Sequence, residues 1–173
     1  MQRIIITASV LCAISFSFSS CLNPFAPVLG NPSSSVWTEA QTVGELLDNF
    51  KNSYNFQDSL RYADCLDESF VFVYYDVIEE REDQWGRDTD LKTTGGLFSN
   101  FEEIHLIWYA LPENISDFAE ENTSLEFDAS FSLSLYGYEG GSTYDLYGFA
   151  NFTVEKEAGD RFRIITWKDI TIF

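Results

Sequence analysis

The stretch Ser124–Tyr136, SLEFDASFSLSLY, carries the clearest structural pattern in the chain. Apolar and polar residues alternate along it without a break. The apolar positions are Leu125, Phe127, Ala129, Phe131, Leu133 and Leu135, and the polar positions are Glu126, Asp128, Ser130, Ser132 and Ser134. A period of two residues places the apolar side chains on one face of a β-strand. The sequence therefore predicts a long strand with one buried face.

Further strands are predicted on both sides of this segment. A run rich in aromatic and β-branched residues marks residues 70–77, and an almost wholly apolar run marks residues 104–111. Because the second run has hardly any polar position, we expect both of its faces to be covered. Residues 144–156 and 161–173 complete a meander through glycine-containing connections. The charged segment 78–87 is predicted to be a turn.

The residues before the strands carry helical patterns. Apolar side chains recur at steps of three and four residues, at Val43, Leu46, Leu47, Phe50 and Tyr54. Thr42 and Glu45 have the spacing of a capping box, and Asp58 is placed to cap a second helix. A short third helix is predicted over residues 88–98, broken at Gly95-Gly96. Helices followed by a run of strands indicate the α+β class, with N-terminal helices packed on a mostly antiparallel sheet.

The start of the chain has the pattern of an export signal. Arg3 precedes an apolar run from Ile4 to Phe18, and two small residues then lead to Cys21. The run has about 15 residues, which is shorter than the roughly 18 of a membrane span. The order of these features resembles a bacterial lipoprotein, with Phe18 where leucine is usual. An ordinary secretory signal is the alternative, in which Cys21 is a free thiol or is removed.

These features predict three regions. Residues 1–20 would be a lipoprotein signal peptide, Cys21 would carry the lipid, and residues 21–41, rich in proline and serine, would form a flexible tether. Residues 42–173 would form the folded domain. Because Leu22 is not aspartate, analogy with Gram-negative sorting implies the outer membrane, with the domain facing the periplasm.

The composition excludes some partners. The net charge is −18, with a sequence pI of about 4.1, so nucleic acid is excluded because binding it requires basic residues. Adhesion of the domain itself to anionic lipid is also disfavoured. Cys12 lies in the predicted signal and Cys21 in the predicted anchor, so Cys65 has no partner for a disulfide and is expected to be a buried thiol.

Several short segments together resemble the nuclear transport factor 2-like superfamily, which includes ketosteroid isomerase, scytalone dehydratase and SnoaL-like cyclases. The segments are Leu46–Tyr54 with Asp58 and Tyr62, Asp67–Phe72, Tyr147–Phe152 and Arg161–Asp169. In the last of these, Phe162 replaces a tryptophan that is frequent in lipoprotein members. The resemblance covers residues 42–173. It implies a cystatin-like α+β roll, in which a strongly curved sheet wraps around the helices and leaves a pocket.

Few residues offer catalytic chemistry. His105 is the one histidine and suits proton transfer near neutral pH, yet no partner residue is evident from the sequence. Asp76, beside Tyr74 and Tyr75, is a second candidate, because ketosteroid isomerase uses an aspartate with a tyrosine. For both, a structural role is the favoured interpretation. Trp167 is predicted to be a core or pocket-wall residue.

The sequence predicts neither a metal site nor a cofactor. The acidic runs at residues 79–83 and 88–90 lack the glycine and terminal glutamate of a calcium loop, so both are interpreted as solvated loops. The sequence has no zinc-type cluster, phosphate loop or serine elbow.

The leading functional hypothesis is a non-enzymatic, lipid-anchored domain that binds or assembles with an envelope partner. One alternative is a small-molecule enzyme of isomerase or dehydratase type, with Asp76 and His105 as candidates. Another is a protein that binds an apolar ligand, of unknown identity, in the cone pocket. Since the same fold serves all three roles, the fold alone cannot choose among them.

Overall fold

The computed structural model describes residues 36–118, 124–139, 141–156 and 159–170. The elements in chain order are α1 Val43–Asn55, α2 Ser59–Cys65, β1 Leu66–Asp76, β2 Arg81–Gly86, α3 Arg87–Asn100, β3 Glu103–Ala110, a 3-10 turn Ile115–Asp117, β4 Ser124–Tyr136, β5 Thr143–Lys156 and β6 Phe162–Asp169. The predicted signal peptide, Cys21 and residues 22–35 of the tether lie outside the described residues. No described helix has the length and apolar character needed to cross a membrane.

The strands form one curved six-stranded sheet in the order β2-β1-β6-β5-β4-β3. Every neighbouring pair is antiparallel except β1 and β6, which run parallel. The predicted α+β class with a mostly antiparallel sheet is confirmed. The alternating segment forms β4 over its whole predicted length, and Phe127, Ala129 and Leu135 on its apolar face are buried.

The predicted helix caps are present. Thr42 Oγ1 accepts from the Glu45 backbone N–H at 3.2 Å, and Glu45 Oε2 accepts from the Gln41 N–H at 2.8 Å. Asp58 Oδ1 accepts from the N–H groups of Leu60 and Arg61 at the start of α2. These bonds satisfy backbone donors that a helix leaves unpaired in its first turn.

Two elements differ from the sequence prediction. The charged segment predicted as a turn contains β2, which pairs with β1 and places Trp85 opposite Phe72. Helix α3 runs unbroken through Gly95-Gly96. The side chains of Ser99 and Asn100 donate to the carbonyls of these two glycines, and packing of α3 on β1 and α2 holds the helix together. Tertiary contacts therefore override weak local signals in both places.

Strand β3 is covered on one face, not on two as predicted. Ile104 and Leu106 are buried, whereas Ile107 is 52% exposed and Tyr109 is 62% exposed. The strand lies at the edge of the sheet, and the helices cover its inner face alone. An almost wholly apolar run is therefore compatible with one open face here.

An aromatic row crosses the inner face of the sheet. It consists of Phe127 in β4, Phe152 in β5, Trp167 in β6, Phe72 in β1 and Trp85 in β2, and each is the register partner of the next. Ring centroids of successive members lie 5.8, 5.6, 5.1 and 4.6 Å apart. Such contacts stabilise a core beyond the area they bury. The row therefore couples five strands.

Phe50 of α1 packs on the middle of this row. Its ring centroid lies 6.0 Å from that of Phe152 and 5.6 Å from that of Trp167, both edge-on. Phe50 also contacts the rings of Tyr54, Tyr62 and Trp108. One side chain thus joins α1, α2 and three strands.

Large side chains fill the deep part of the cone. A void of about 20 Å³ lies between α1 and the sheet. It is lined by Phe50, Tyr54, Leu106, Trp108, Phe131, Leu133, Phe152 and Trp167. A void of this size between apolar walls has no room for an organic ligand.

The folded domain begins before the predicted boundary at Thr42. Ala40 is 3% exposed, and the Thr38 N–H donates to Asn49 Oδ1 at 2.9 Å. The Trp37 ring lies 5.2 Å from the Arg61 guanidinium carbon. Residues 37–40, assigned to the tether from composition, therefore pack on α1 and α2.

We predict that Phe50→Ala lowers the free energy of unfolding by about 3–5 kcal/mol, because it leaves a cavity under the aromatic row. The matched control is Phe56→Ala, which removes a 61% exposed phenylalanine at the end of the same helix. This control should change stability by about 0.5 kcal/mol or less. Urea denaturation of both variants measures the difference, and equal losses would contradict the central role of Phe50.

Candidate functional site

An open groove lies between α3 and the β1-β2-β6 part of the sheet. Its volume is about 660 Å³, within the range typical of ligand sites. The groove is lined by Tyr54, Phe72, Trp85, Thr89, Asp90, Lys92, Thr93, Thr94, Gly96, Leu97, Asn100, Phe101 and Trp167. We call it the α3 groove. Its sheet side is the part of the aromatic row that the helices leave uncovered.

Asp90 is the buried carboxyl group of the α3 groove. It lies in the first half of α3 and is 4% exposed. Tyr62 Oη donates to Asp90 Oδ2 at 2.5 Å, and Trp85 Nε1 donates to Asp90 Oδ1 at 3.1 Å. The two donors come from α2 and β2, so this carboxyl group fixes α3 against both elements. It also fixes the indole of Trp85 in the wall of the groove.

The environment of Asp90 sets its protonation. Burial raises the pKa of the Asp90 carboxyl above its usual value, because the charged form loses hydration. The hydrogen bonds from Tyr62 and Trp85 oppose this shift, since they stabilise the ionised form. No cation forms an ion pair with Asp90 among the residues that the structure describes.

Two phenols and a threonine extend this polar cluster. Thr94, one turn after Asp90 in α3, is buried and lines the groove, and its side chain partly opposes the rise in the pKa of Tyr54 and Tyr62. Burial raises the pKa of both tyrosines, and the Asp90 charge adds to the shift. Both phenols therefore stay protonated at neutral pH and act as hydrogen-bond donors.

Two further groups define the walls of the groove. The indole N–H of Trp167 is buried and has no hydrogen-bond partner among the described residues. Trp167 lines both the α3 groove and the small void inside the cone. Lys92 is exposed at the rim. The site thus combines aromatic walls, one buried acceptor and one exposed cation.

His105 lies away from the α3 groove. It is exposed on the outer face of β3, where its Nε2 contacts Glu103 Oε1 at 2.7 Å. Its ring centroid lies 5.4 Å from that of Tyr136. The structure brings no groove residue to this histidine.

Asp76 also lies outside the groove, at the end of β1. Its Oδ1 accepts from the N–H groups of Glu79 and Ile78, which closes the turn into β2. These hydrogen bonds lower the pKa of the Asp76 carboxyl. The two sequence candidates, Asp76 and His105, are therefore not brought together.

Residues 88–90 belong to the helix predicted over residues 88–98, and the interpretation of the same acidic run as a solvated loop is wrong. These residues form the first turn of α3, and Asp90 is buried against Tyr62 and Trp85. The described residues contain no group of three or more potential metal ligands in binding geometry. Sequence reasoning missed Asp90 because its two donors are 28 and 5 residues away in the chain.

Of the two cysteines for which a role was predicted, Cys65 lies among the described residues. Cys65 is buried and unpaired among the described residues, and its thiol donates to the Arg61 carbonyl. Burial raises the pKa of this thiol to about 12, so Cys65 is a poor nucleophile. The predicted lipidation site, Cys21, lies outside the described residues.

Solved structures with the same architecture are numerous, although their sequences differ widely. One, from Novosphingobium aromaticivorans and proposed to be a scytalone dehydratase, has a TM-score of 0.61 at 13% identity, covering 77% of this chain and 83% of that one. Another from the same organism, proposed to be an aromatic ring hydroxylase, has a TM-score of 0.59 at 12% identity, with coverage of 78% and 90%.

A third similar structure is a nuclear transport factor 2-like superfamily protein from Salmonella enterica. It has a TM-score of 0.56 at 13% identity and covers 73% of this chain and 86% of its own. No family model matches this chain, and no curated protein matches it either. The similarity to the solved structures shows that the domain has the nuclear transport factor 2-like fold, which is the fold expected from the sequence. At these identities the likeness extends to the fold alone.

We predict a pH signature for Asp90. Because its pKa is raised in the folded state, the folded state binds more protons than the unfolded state between the two pKa values. The stability that Asp90 contributes is therefore greatest at acid pH and is lost as the pH rises through its folded-state pKa. Denaturation of wild type and Asp90→Asn between about pH 4 and pH 8 isolates this contribution from the other carboxylates.

The stability of wild type relative to Asp90→Asn should fall across this range. Asp88→Asn, two residues earlier and exposed, is the control and should show no such trend. A relative stability that rises with pH would mean that the carboxylate is favoured by folding, contrary to its buried setting.

Proposed function

We propose that this chain is a non-enzymatic, membrane-anchored binding protein whose domain holds a small aromatic ligand in the α3 groove. The observation that carries the proposal is an open, aromatic-walled groove of about 660 Å³ with one buried, oriented carboxyl group. Most ligand sites pair apolar walls with a few fixed polar groups in this way.

The shape of the groove favours a flat ligand. Phe72 and Trp85 stack with their ring centroids 4.6 Å apart, and Trp167 meets Phe72 edge-on. On the opposite wall, Leu97 and the bare backbone of Gly96 leave space beside α3. An aromatic ligand lying between these walls would bury its faces and direct its polar group toward Asp90.

A small-molecule enzyme of isomerase or dehydratase type is the second candidate. It is favoured by the raised pKa of Asp90 and by the two buried phenols nearby, a combination suited to proton transfer. Binding is preferred to catalysis because Tyr62 and Trp85 both donate to Asp90 and hold it as an acceptor. If the chain is an enzyme, the α3 groove points to Asp90, rather than Asp76 or His105, as its base.

The anchoring part of the proposal is supported by the sequence of residues 1–21. An apolar run followed by small residues and Cys21 is the pattern of a lipidated precursor. Several acyl chains on one cysteine would hold the domain at a membrane durably. The proposed destination is the outer membrane, with the groove in the periplasm.

We predict that phenylnaphthylamine, a neutral fluorescent probe with two aromatic units and one N–H donor, binds the purified full chain. Gly96→Trp should weaken binding about tenfold or more, because the new indole would occupy the groove where an added Cβ meets nothing within 4 Å. Ser99→Trp places the same side chain on an exposed position of α3 that does not line the groove. Fluorescence titration should show near wild-type affinity for this control, and equal affinities for all three proteins would contradict the proposal.

We predict that Cys21→Ser releases the protein from membranes and abolishes labelling by a fatty-acid analogue. The serine hydroxyl cannot replace the thiolate as the lipid acceptor. Cys65→Ala is the control, since Cys65 is buried in the domain and should not affect labelling. Membrane fractionation and labelling measure both variants, and an unchanged Cys21→Ser pattern would rule out lipidation at this residue.

A further inference from the structure

Asp90 is a buried carboxyl group whose described hydrogen-bond partners carry no positive charge. Both of its described hydrogen-bond donors, Tyr62 and Trp85, are neutral. No ion pair to Asp90 occurs in the part of the chain that the structure describes. An ionised carboxylate in an apolar setting is costly unless a cation compensates it. The burial that raises its pKa reflects the same cost.

The Asp90 carboxylate has unused acceptor capacity. An ionised carboxylate offers about four acceptor positions, and Tyr62 and Trp85 use one on each oxygen. Asp90 and Trp85 are both lining residues of the groove, so the carboxyl group belongs to its wall. A ligand group that donates hydrogen bonds can therefore bind Asp90 without displacing Tyr62 or Trp85.

The aromatic side chains near Asp90 can bind a cationic group of a ligand as well as its aromatic rings. Trp85, Phe72 and Trp167 meet in one continuous ring cluster, with successive centroids 4.6 and 5.1 Å apart. Organic ammonium groups are attracted to aromatic faces, to tryptophan most strongly. A carboxylate beside such faces is an arrangement that favours an ammonium ion over a neutral or anionic group.

The charge of the whole protein acts in the same direction. The net charge of −18 attracts cations to the domain and repels anions. Lys92 at the rim acts against a cationic ligand, but it is exposed, and screening weakens an exposed charge. The buried charge of Asp90 is screened much less.

From this geometry we infer that the natural ligand of the α3 groove is an aromatic amine bound as its ammonium ion. Its rings lie against Phe72, Trp85 and Trp167, and its ammonium group donates to Asp90. The inference rests on the proposed binding function and adds the ligand class. No covalent step is involved.

Three probes with the same aromatic body test the inference. Naphthylmethylamine is cationic at about pH 8, naphthylmethanol is its neutral analogue, and naphthoate is anionic. Calorimetric titration of the full chain should show the amine binding about tenfold more tightly than the alcohol, and naphthoate binding most weakly. Because this comparison uses the wild-type protein, it does not depend on the folding of any variant.

Two matched variants locate the source of the preference. Asp90→Asn should bring the affinities of the amine and the alcohol to within about twofold of each other, because the carboxylate charge is gone. Asp88→Asn removes an equal charge from an exposed position of the same helix and should leave the preference intact. The preference should also persist in about 0.5 M salt, which screens exposed charges.

The outcomes separate the inference from the binding function. Equal binding of the amine and the alcohol, or tighter binding of naphthoate, would overturn the amine assignment while leaving the groove a binding site. If the preference for the amine survives in Asp90→Asn, or disappears in salt, it arises from attraction to the charged surface of the protein. Either result would also overturn the inference. If none of the three probes binds, the binding function and the inference both fail.

Discussion

The aromatic row is the constraint on which the structure depends. Five aromatic side chains occupy one register position across five strands, and Phe50 of α1 packs against the middle of the row. The middle of the row, at Phe152 and Trp167, fills the space between the sheet and α1, because both rings pack on Phe50. The dense packing explains why the void beside Phe50 measures about 20 Å³.

The same row also produces the candidate site. Phe127 and Phe152 are buried in the core, whereas Phe72, Trp85 and Trp167 at the other end are partly exposed and line the α3 groove. Trp85 in addition donates to Asp90, which Tyr62 holds from the opposite side. The core and the groove are therefore parts of one packing arrangement. Strand β2 is held to it by the stacking of Trp85 on Phe72, and α3 by the hydrogen bonds of Asp90 to Tyr62 and Trp85.

Local sequence patterns predicted those parts of the fold that depend on interactions between residues close together in the chain. The alternation of β4, the Thr42–Glu45 cap and the Asp58 cap each depend on residues within a few positions of one another. The resemblance of Arg161–Asp169 to a family strand added the overall architecture, which the structure confirms. These signals suffice for the class of fold because a sheet with one apolar face must pack on another layer, and the predicted helices supply that layer.

The candidate site was not predictable in the same way. Asp90 lies in the predicted third helix, but its acidic neighbours indicated a solvated position, and its burial depends on Tyr62 from α2. Strand β2 lacks an apolar run and forms because β1 supplies its partner and Phe72 stacks on Trp85. The signal that could have found the site is the pairing of Trp85 with an aspartate five residues later, at the start of a helix.

Substitutions in the aromatic core and substitutions on the α3 wall of the groove have different consequences for the fold. Substitutions at Phe50 or Phe152 alter the packing of several elements at once, since both are fully enclosed by other rings. Substitutions at Gly96 or Leu97 alter only the outer wall of the groove, where an added Cβ at Gly96 meets open space. A fold built in this way can vary the ligand that it accepts through α3 while its core stays the same, which is a physical reason why one architecture serves proteins with different functions.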